Sequence, residues 1–478
     1  MYNIEIVINA IGNCISDWLL IPLLLMAAIW FTIRTKGVQF GMAGEMCRLL
    51  VGREPGRKGP DTVTPLQAFM VSIASRVGTG NLAGVATAIV LGGPGAVFWM
   101  WAIALVGAAS AFVESTLAQL FKVRDGNGGF RGGPAYYILH GIGSKTWAGT
   151  FAVLIAITFG LAYNSVQSNT IAEAFGTSWG IPAWASAVGV TILSMSIICG
   201  GLRSIARFSQ WVVPIMAVSY IIVALVIIAM NITSLPHMFG MIFAEAFGIE
   251  QGLAGGVGAA MAMGIRRGLF SNEAGEGSAP NVAATAHVSH PVKQGLVQAL
   301  GVFTDTLIIC TCTAFIILCS GVHIGAEAQG ISLTQAAVSS QLAPGTSFGA
   351  SFVSVAIFFF AFTSIVANYY YGETNIRFLT SRRSAVYAYR VLVGTMVLCG
   401  GLMSLGLVWS LADITMSLMA ICNLVAILVL GRYALVCLKD YRQQRRDGMN
   451  PVYHADTQPE IESKTPCWPD VDVESSAH

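Results

Sequence analysis

The chain has 478 residues, of which 55% are hydrophobic and 10% charged, with a formal net charge of +2. Soluble domains carry roughly 25% charged residues, so this chain lacks the polar surface to cover itself in water. Charge-free stretches such as 211–230 and 391–411 reach the about 20 residues that cross a hydrocarbon core, and no basic stripe outside the loops offers a footprint for nucleic acid.

Eleven membrane helices are predicted in chain order, near 16–35, 66–92, 95–121, 147–175, 182–202, 209–231, 252–270, 297–321, 347–371, 388–409 and 411–433. The first apolar segment, Trp18 to Ile33, follows an N-terminus without Lys or Arg. It lacks the basic region of a signal peptide and is read as a retained helix. With the N-terminus outside, Arg34, Lys36, Arg48, Arg53, Arg57 and Lys58 fall in the first cytoplasmic loop, and Lys122, Arg124, Arg131 and Lys145 in the second. Arg203, Arg207, Lys293, Arg377, Arg382 and Arg383 fall in later ones. The long external loops, 232–251 and 322–346, contain neither Lys nor Arg, which is the positive-inside pattern. The transmembrane domain is thus 1–437. Residues 438–478 begin with Lys439, Arg442, Arg445 and Arg446, then turn polar and acidic with Pro459, Pro466 and Pro469, and are predicted to form a disordered cytoplasmic tail. Ten scattered cysteines show neither a disulfide framework nor zinc spacing.

With the first helix set aside, the rest divides into 66–231 and 252–433, five spans each, so the second half is inverted relative to the first. Each half opens with an unusual helix. In the first, Arg76 is followed by Gly78, Thr79, Gly80 and Asn81. In the second, 252–265 is short and meets Arg266, Arg267 and Gly268 before Phe270-Ser271-Asn272-Glu273-Ala274-Gly275. Interrupted segments at matching places in inverted halves point to a transporter binding site. Scattered glycines such as Gly107 and Gly160 are read as helix-packing residues, but unwound backbone at membrane depth is tolerated only inside protein or beside a cavity.

The stretches Gly78-Thr79-Gly80-Asn81-Leu82-Ala83-Gly84, Phe130-Arg131-Gly132-Gly133-Pro134-Ala135-Tyr136-Tyr137 and Arg267 through Gly275 resemble those of the alanine/glycine:cation symporter family. So do Ser278-Ala279-Pro280, His290-Pro291 and Asp305-Thr306 through Thr313-Ala314. The resemblance runs over about residues 15 to 435. It implies an all-α, leucine-transporter-type fold of five plus five inverted helices after one extra helix, a bacterial inner-membrane location, small neutral amino acids such as alanine and glycine as substrates, and a sodium gradient as driver, with no cofactor.

A neutral amino acid is a zwitterion, and a broken helix meets both of its charges with backbone. N–H groups and a positive dipole end face the carboxylate, while unwound carbonyls suit the ammonium and Na⁺. Gly78, Thr79, Gly80 and Asn81 are therefore expected to touch substrate. In the fourth span Asn164 and Gln167 share one helical face. By the resemblance this is the third core helix, where Gln167, with Asn164 beside it, is expected to reach the substrate; interhelical hydrogen bonding is the other use of such residues. The resemblance also places the ninth span beside the first broken helix. There Thr363 and Ser364 are expected to ligate sodium together with carbonyls near Ala74 to Gly78, although hydroxyls in membrane helices commonly back-bond to their own turn. Ala367-Asn368 stands where many members of the family carry Gly-Trp, which predicts a larger or more polar side-chain pocket and brings serine or a somewhat larger amino acid into range.

Embedded charges are functional candidates. Arg76 lies mid-span before the first break. Glu114, Asp305 and Glu373 are placed in the cytoplasmic halves or ends of their spans, and Glu273 and Glu276 follow the second broken helix. A network joining these acids to Arg76, Arg266 or Arg267 is expected to form an intracellular gate or, statically, to fix helix register. None of the seven histidines lies in the predicted core, and neutral oxygens suffice for sodium, which favours sodium over protons. An enzyme would need a nucleophile, a metal cluster or paired carboxylates; His287 and His290 are three apart without an evident third ligand. A channel would more often use symmetric subunits or charged rings.

Overall fold

A computed structural model of the chain describes residues 10–52, 63–125, 128–249, 256–322, 329–465 and 467–468. The expected positions Arg53, Arg57, Lys58, Pro466 and Pro469 lie outside the described residues, as do the side chain of Arg203 and the start of the span expected at 252.

The chain is helical almost throughout. In chain order α1 is Ala10–Arg34, α2 Ala43–Val51, α3 Pro65–Arg76, α4 Gly80–Gly92, α5 Gly95–Leu120, α6 Lys145–Trp179, α7 Ala183–Ile198, α8 Gly201–Met230 and α9 Leu235–Ala246. Then follow α10 Gly256–Asn272, α11 Ala279–Ala283, α12 Pro291–Cys319, α13 Ile331–Gln341, α14 Phe348–Leu379, α15 Arg383–Gly400 and α16 Leu405–Arg446. Among the described residues seven helices are long and apolar enough to cross a membrane, and α4 and α7 are shorter apolar ones. A two-stranded ribbon, β1 Val123–Arg124 with β2 Phe130–Arg131, follows α5.

Local chemistry sets several boundaries. Thr64 caps α3 by accepting from Gln67 N, while Gln67 returns a bond to Thr64 N and Pro65 opens the first turn. His290 caps α12, its Nδ1 accepting from Val292 N before Pro291, so this histidine serves a helix start. α5 packs against α1, α10, α12 and α16 and is buried along most of its length. By contrast α8 exposes Trp211, Ile215, Val218, Ile222 and Leu225. An apolar face of that extent is stable against hydrocarbon, not water.

The C-terminal segment differs from expectation. α16 continues to Arg446, and residues 450–465 and 467–468 fold back over the end of the bundle that carries the β1–β2 ribbon. Tyr453 N donates to Ser289 O (2.9 Å), Ser289 Oγ to Pro451 O (2.9 Å) and Lys293 Nζ to Asn450 Oδ1 (2.9 Å). Trp468 Nε1 donates to Gln119 O and Leu120 O (both 3.1 Å), satisfying carbonyls that the end of α5 leaves open. The Lys122 ammonium sits over the Phe130 ring at 4.1 Å and the Trp468 ring at 4.7 Å. Composition averaged over the tail hid three buried anchors, Tyr453, Ile461 and Trp468. Trp468→Ala is expected to speed tryptic cleavage at Lys464 about tenfold by raising the open population; an unchanged cleavage rate would show that Trp468 does not hold the strap.

Candidate functional site

The first interruption lies between Arg76 and Gly80, where Val77 is extended (φ −80°, ψ 91°) and the helix restarts as a wide π-type turn over Gly80–Gly84. Two N–H groups opened by the break find side-chain acceptors. Gly78 N donates to Asn81 Oδ1 (2.9 Å), and Thr79 N and Oγ1 both donate to Gln167 Oε1 (3.0 and 2.7 Å). The structure thus brings Gln167 to the break. The two glycines are required by close approach. A Cβ on Gly78 would collide with Ser364 Oγ and lie 2.9 Å from Gln167 Oε1; one on Gly80 would lie 3.0 Å from Phe270 Cδ1 and 3.1 Å from Ser271 Cα.

On the other side of the break, Ser364 Oγ is 2.9 Å from Ala74 O, 3.4 Å from Val77 O and 3.0 Å from Phe360 O. The carbonyl of Val77, rather than that of Gly78, joins Ala74. Thr363 Oγ1 bonds within its own helix, to Phe360 O (2.9 Å). All of these groups are buried, so the break brings a set of neutral oxygens, the donors hard cations prefer, beside unwound N–H groups.

Asn368 and Asn164 meet: Asn368 Nδ2 donates to Asn164 Oδ1 (3.1 Å), while Asn164 Nδ2 bonds Gly160 O. Asn368 Oδ1 also receives Ser75 Oγ (2.7 Å), which lies 2.6 Å from Glu273 Oε1. A continuous polar chain therefore joins α6, α14, α3 and the second interruption. That interruption is not at Arg266–Gly268, through which α10 runs unbroken to Asn272. It lies at Glu273–Ser278, with left-handed backbone at Glu273 (φ 55°), Gly275 (φ 90°) and Gly277 (φ 83°). A non-glycine residue there stores strain, and Glu273 is held by Ser75 on one oxygen and Ser278 Oγ on the other (2.5 Å). Glu114 accepts from Gly275 N (3.2 Å), Gly277 N (3.1 Å) and Asn423 Nδ2 (2.8 Å), clamping the unwound segment to α5 and α16.

The expected gate network takes a different form. Arg266 pairs with Asp17 and Asn13, and Arg267 with Asp413, towards the end of the bundle where α1 and α16 begin. Arg76 Nη1 donates to Gln298 O (3.1 Å), and Glu373 pairs with Arg377 (2.6 Å) and lies 3.8 Å from Arg390. Among the described residues none of Glu114, Glu273, Glu276 and Asp305 has a basic side chain within ion-pair distance. Each acid is instead satisfied by nearer neutral donors: hydroxyls, amides and backbone N–H. Asp305, expected towards a span end, lies at the first break, where its carboxylate receives Asn81 Nδ2 (2.6 Å), Ser271 Oγ (2.7 Å) and Thr306 Oγ1 (2.9 Å). Glu276 receives the Tyr163 hydroxyl (3.1 Å). The Tyr163 ring also packs on Phe270 (4.5 Å between centroids), Phe270 on Trp409 (4.7 Å), and the Arg267 guanidinium over Trp409 (4.3 Å), forming an aromatic lid next to Gly80.

The side chains of Ser75, Tyr163, Ser271 and Thr306 carried no expected role, and Val77 entered only through the carbonyls expected near Ala74 to Gly78. Ser271 and Thr306 stand inside the motifs that carry the family resemblance, and that was the available signal. The π-type turns Thr158–Tyr163 and Phe303–Cys310, which aim Tyr163 and Asp305, have no sequence signature.

Comparison with known proteins bears on the fold and the family. The chain superimposes on the solved structure of MhsT in complex with L-phenylalanine with a TM-score of 0.58 at 13% identity, covering 81% of this chain and 97% of that one. The two share a fold, and the leucine-transporter-type expectation holds at that level. The chain is 47% identical over 477 residues to the probable sodium/glutamine symporter GlnT of Bacillus subtilis (strain 168), covering 99% of this chain and 98% of the relative. It is 44% identical over 450 residues to the putative sodium/proton-dependent alanine carrier protein YrbD of the same organism, covering 91% of each. These relatives are transporters, not enzymes. With the model of the sodium:alanine symporter family matching residues 1–455, this chain belongs to the sodium:alanine symporter family.

Proposed function

We propose that the chain carries small neutral amino acids together with Na⁺ across the bacterial inner membrane by alternating access. In this reading eleven helices cross the bilayer as one extra span and two inverted sets of five, with the N-terminus outside and the C-terminus inside. The observation that carries the reading is the double use of one break: Ser364 Oγ gathers the Ala74 and Val77 carbonyls on one side of it, and Gln167 engages the Thr79 N–H on the other. Sodium and the substrate carboxylate would share that strip of backbone, so each orders the segment the other needs, a coupling of binding free energies. Gly78, Thr79, Gly80 and Gln167 contact the substrate backbone, and Asn164 and Asn368 form a polar wall for its side chain. The aromatic lid with Arg267 and Asp413 closes one end of the path; the clamp of Glu114 and Glu273 on the second break governs the other.

Alanine, glycine and serine are the first expected substrates. The Asn368–Asn164 wall, with a relative named as a glutamine symporter, adds glutamine to the panel. Proton coupling is the second reading, favoured by Glu276, wholly buried and held among the described residues by the Tyr163 hydroxyl, and by a relative named sodium/proton-dependent. Uptake of labelled alanine, glycine, serine and glutamine into proteoliposomes, under an inward Na⁺ gradient or under K⁺ with an inward H⁺ gradient, separates them. Accumulation with Na⁺ alone is expected; accumulation with H⁺ alone would replace the ion assignment.

A further inference from the structure

We propose that the C-terminal strap, residues 450–465 and 467–468, is a latch that holds the start of α3 against the bundle, and that its release speeds opening of the site to the cytoplasm. This rests on the transport reading above, with the C-terminus inside, and adds to it a control on one of the two openings.

Between the end of α11 at Ala283 and the start of α12 at Pro291 the backbone is irregular and largely buried. Buried peptide groups must find partners, and here the partners come from three directions. Just ahead of the α3 cap, Val63 pairs with Ala286, and Val63 O accepts from His287 N (3.0 Å). From the last turn of α5, Gln119 Nε2 donates to Ala286 O (2.9 Å) and to Ala283 O. From the strap, Tyr453 N donates to Ser289 O (2.9 Å). The segment is therefore a hub to which the first half of the broken helix, α5 and the strap are all fastened.

The strap grips this hub twice. Tyr453 holds it directly. Trp468 holds it through Gln119, because Trp468 Nε1 donates to the Gln119 carbonyl (3.1 Å) while the Gln119 side chain secures Ala286, the neighbour of the His287 N–H that engages Val63. The other side of the strap is tied to α16. Val452 exchanges two bonds with the Gln444 carboxamide (2.9 and 2.8 Å), and Gln458 Nε2 donates to Cys437 Sγ (3.1 Å). The strap thus bridges α16 to α5, to the start of α12 and, through the hub, to α3. A hold at Val63 restrains the half-helix whose far end carries the Ala74 carbonyl. Alternating access requires one set of helices to rock against the other, and opening at this end pulls on that hold.

The same strap is built to let go. Among its described residues the regular structure is two single turns, Ala455–Thr457 and Glu462–Lys464, and Asp456, Glu460, Glu462 and Lys464 are not buried. A short segment held by a few apolar anchors lies at the low end of local stability, where docking and undocking are frequent. The membrane helices are held along many turns and have no such freedom.

The test uses full-length Trp468→Ala and, separately, Ile461→Asp, which would place an unpaired carboxylate at a wholly buried anchor. Release of the strap is read as tryptic cleavage at Lys464. Transport is read in proteoliposomes as the initial rate of efflux of preloaded labelled alanine, glycine, serine or glutamine. If opening waits on undocking, its rate follows the undocked population, so cleavage about tenfold faster should bring efflux about three- to tenfold faster. The final accumulation under a fixed sodium gradient should not change, because a latch alters rates and not the coupling. A variant that is merely damaged loses rate, so a gain separates the latch from a structural role. Faster cleavage with unchanged or slower efflux overturns the latch and leaves the symport reading standing. Unchanged cleavage in both variants also overturns it, since these anchors would then hold nothing. Failure of the unaltered chain to move any of the four amino acids overturns the reading beneath it.

Discussion

Gly78→Ala is expected to lower sodium-driven uptake at least about a hundredfold, equivalent to about 2.7 kcal/mol, while the protein still inserts and purifies as a folded species. The added methyl has nowhere to go. It meets the Ser364 hydroxyl and the Gln167 carboxamide at 2.9 Å, the two side chains proposed to serve the ion side and the substrate side of the break. Moving Ser364 removes it from the Ala74 carbonyl, and moving Gln167 releases Thr79 N. Either shift spoils a site that tolerates errors well below an ångström. Gly80→Ala should be milder, about tenfold, because its nearest neighbours stand at 3.0 to 3.3 Å and the first is the Phe270 ring edge. Uptake normalised to membrane content checks both, and near-normal transport by Gly78→Ala would show that the break is not the binding site.

Ser364→Ala is expected to raise the sodium concentration for half-maximal uptake at least about tenfold, with a smaller change for amino acid at saturating sodium. Its hydroxyl reaches the Ala74 and Val77 carbonyls, whereas Thr363 bonds Phe360 O within its own helix. Thr363→Val should therefore matter less than Ser364→Ala, although sequence reasoning treats the pair alike. A larger loss of sodium affinity in Thr363→Val would reverse the assignment.

Features set by single segments were legible before the structure. The charge-free stretches marked the helices, the glycines at 78 and 80 marked a break, and Gln167 stood out as a polar residue in an apolar run. The second break was placed too early because the apolar run ends at Ile265 and meets Arg266 and Arg267. Their partners, Asp17 and Asp413, lie about 250 and 150 residues away in sequence, and pairing lets α10 run through them. The same separation hid the environment of Asp305. Its position along α12 suggested a span end, whereas a π-type turn, the neighbouring Thr306 and two donors from other segments, Asn81 and Ser271, hold it beside the first break. The folded strap failed to announce itself because its polar composition outweighs its few aromatic anchors.

Sodium and substrate are proposed to share the backbone between Ala74 and Asn81. Calorimetric titration of the purified protein with alanine, serine and glutamine, in sodium chloride and then in choline chloride at equal ionic strength, tests that directly. Binding of at least one of these amino acids in sodium, and its loss in choline, is the predicted result; equal affinity in both salts would contradict it.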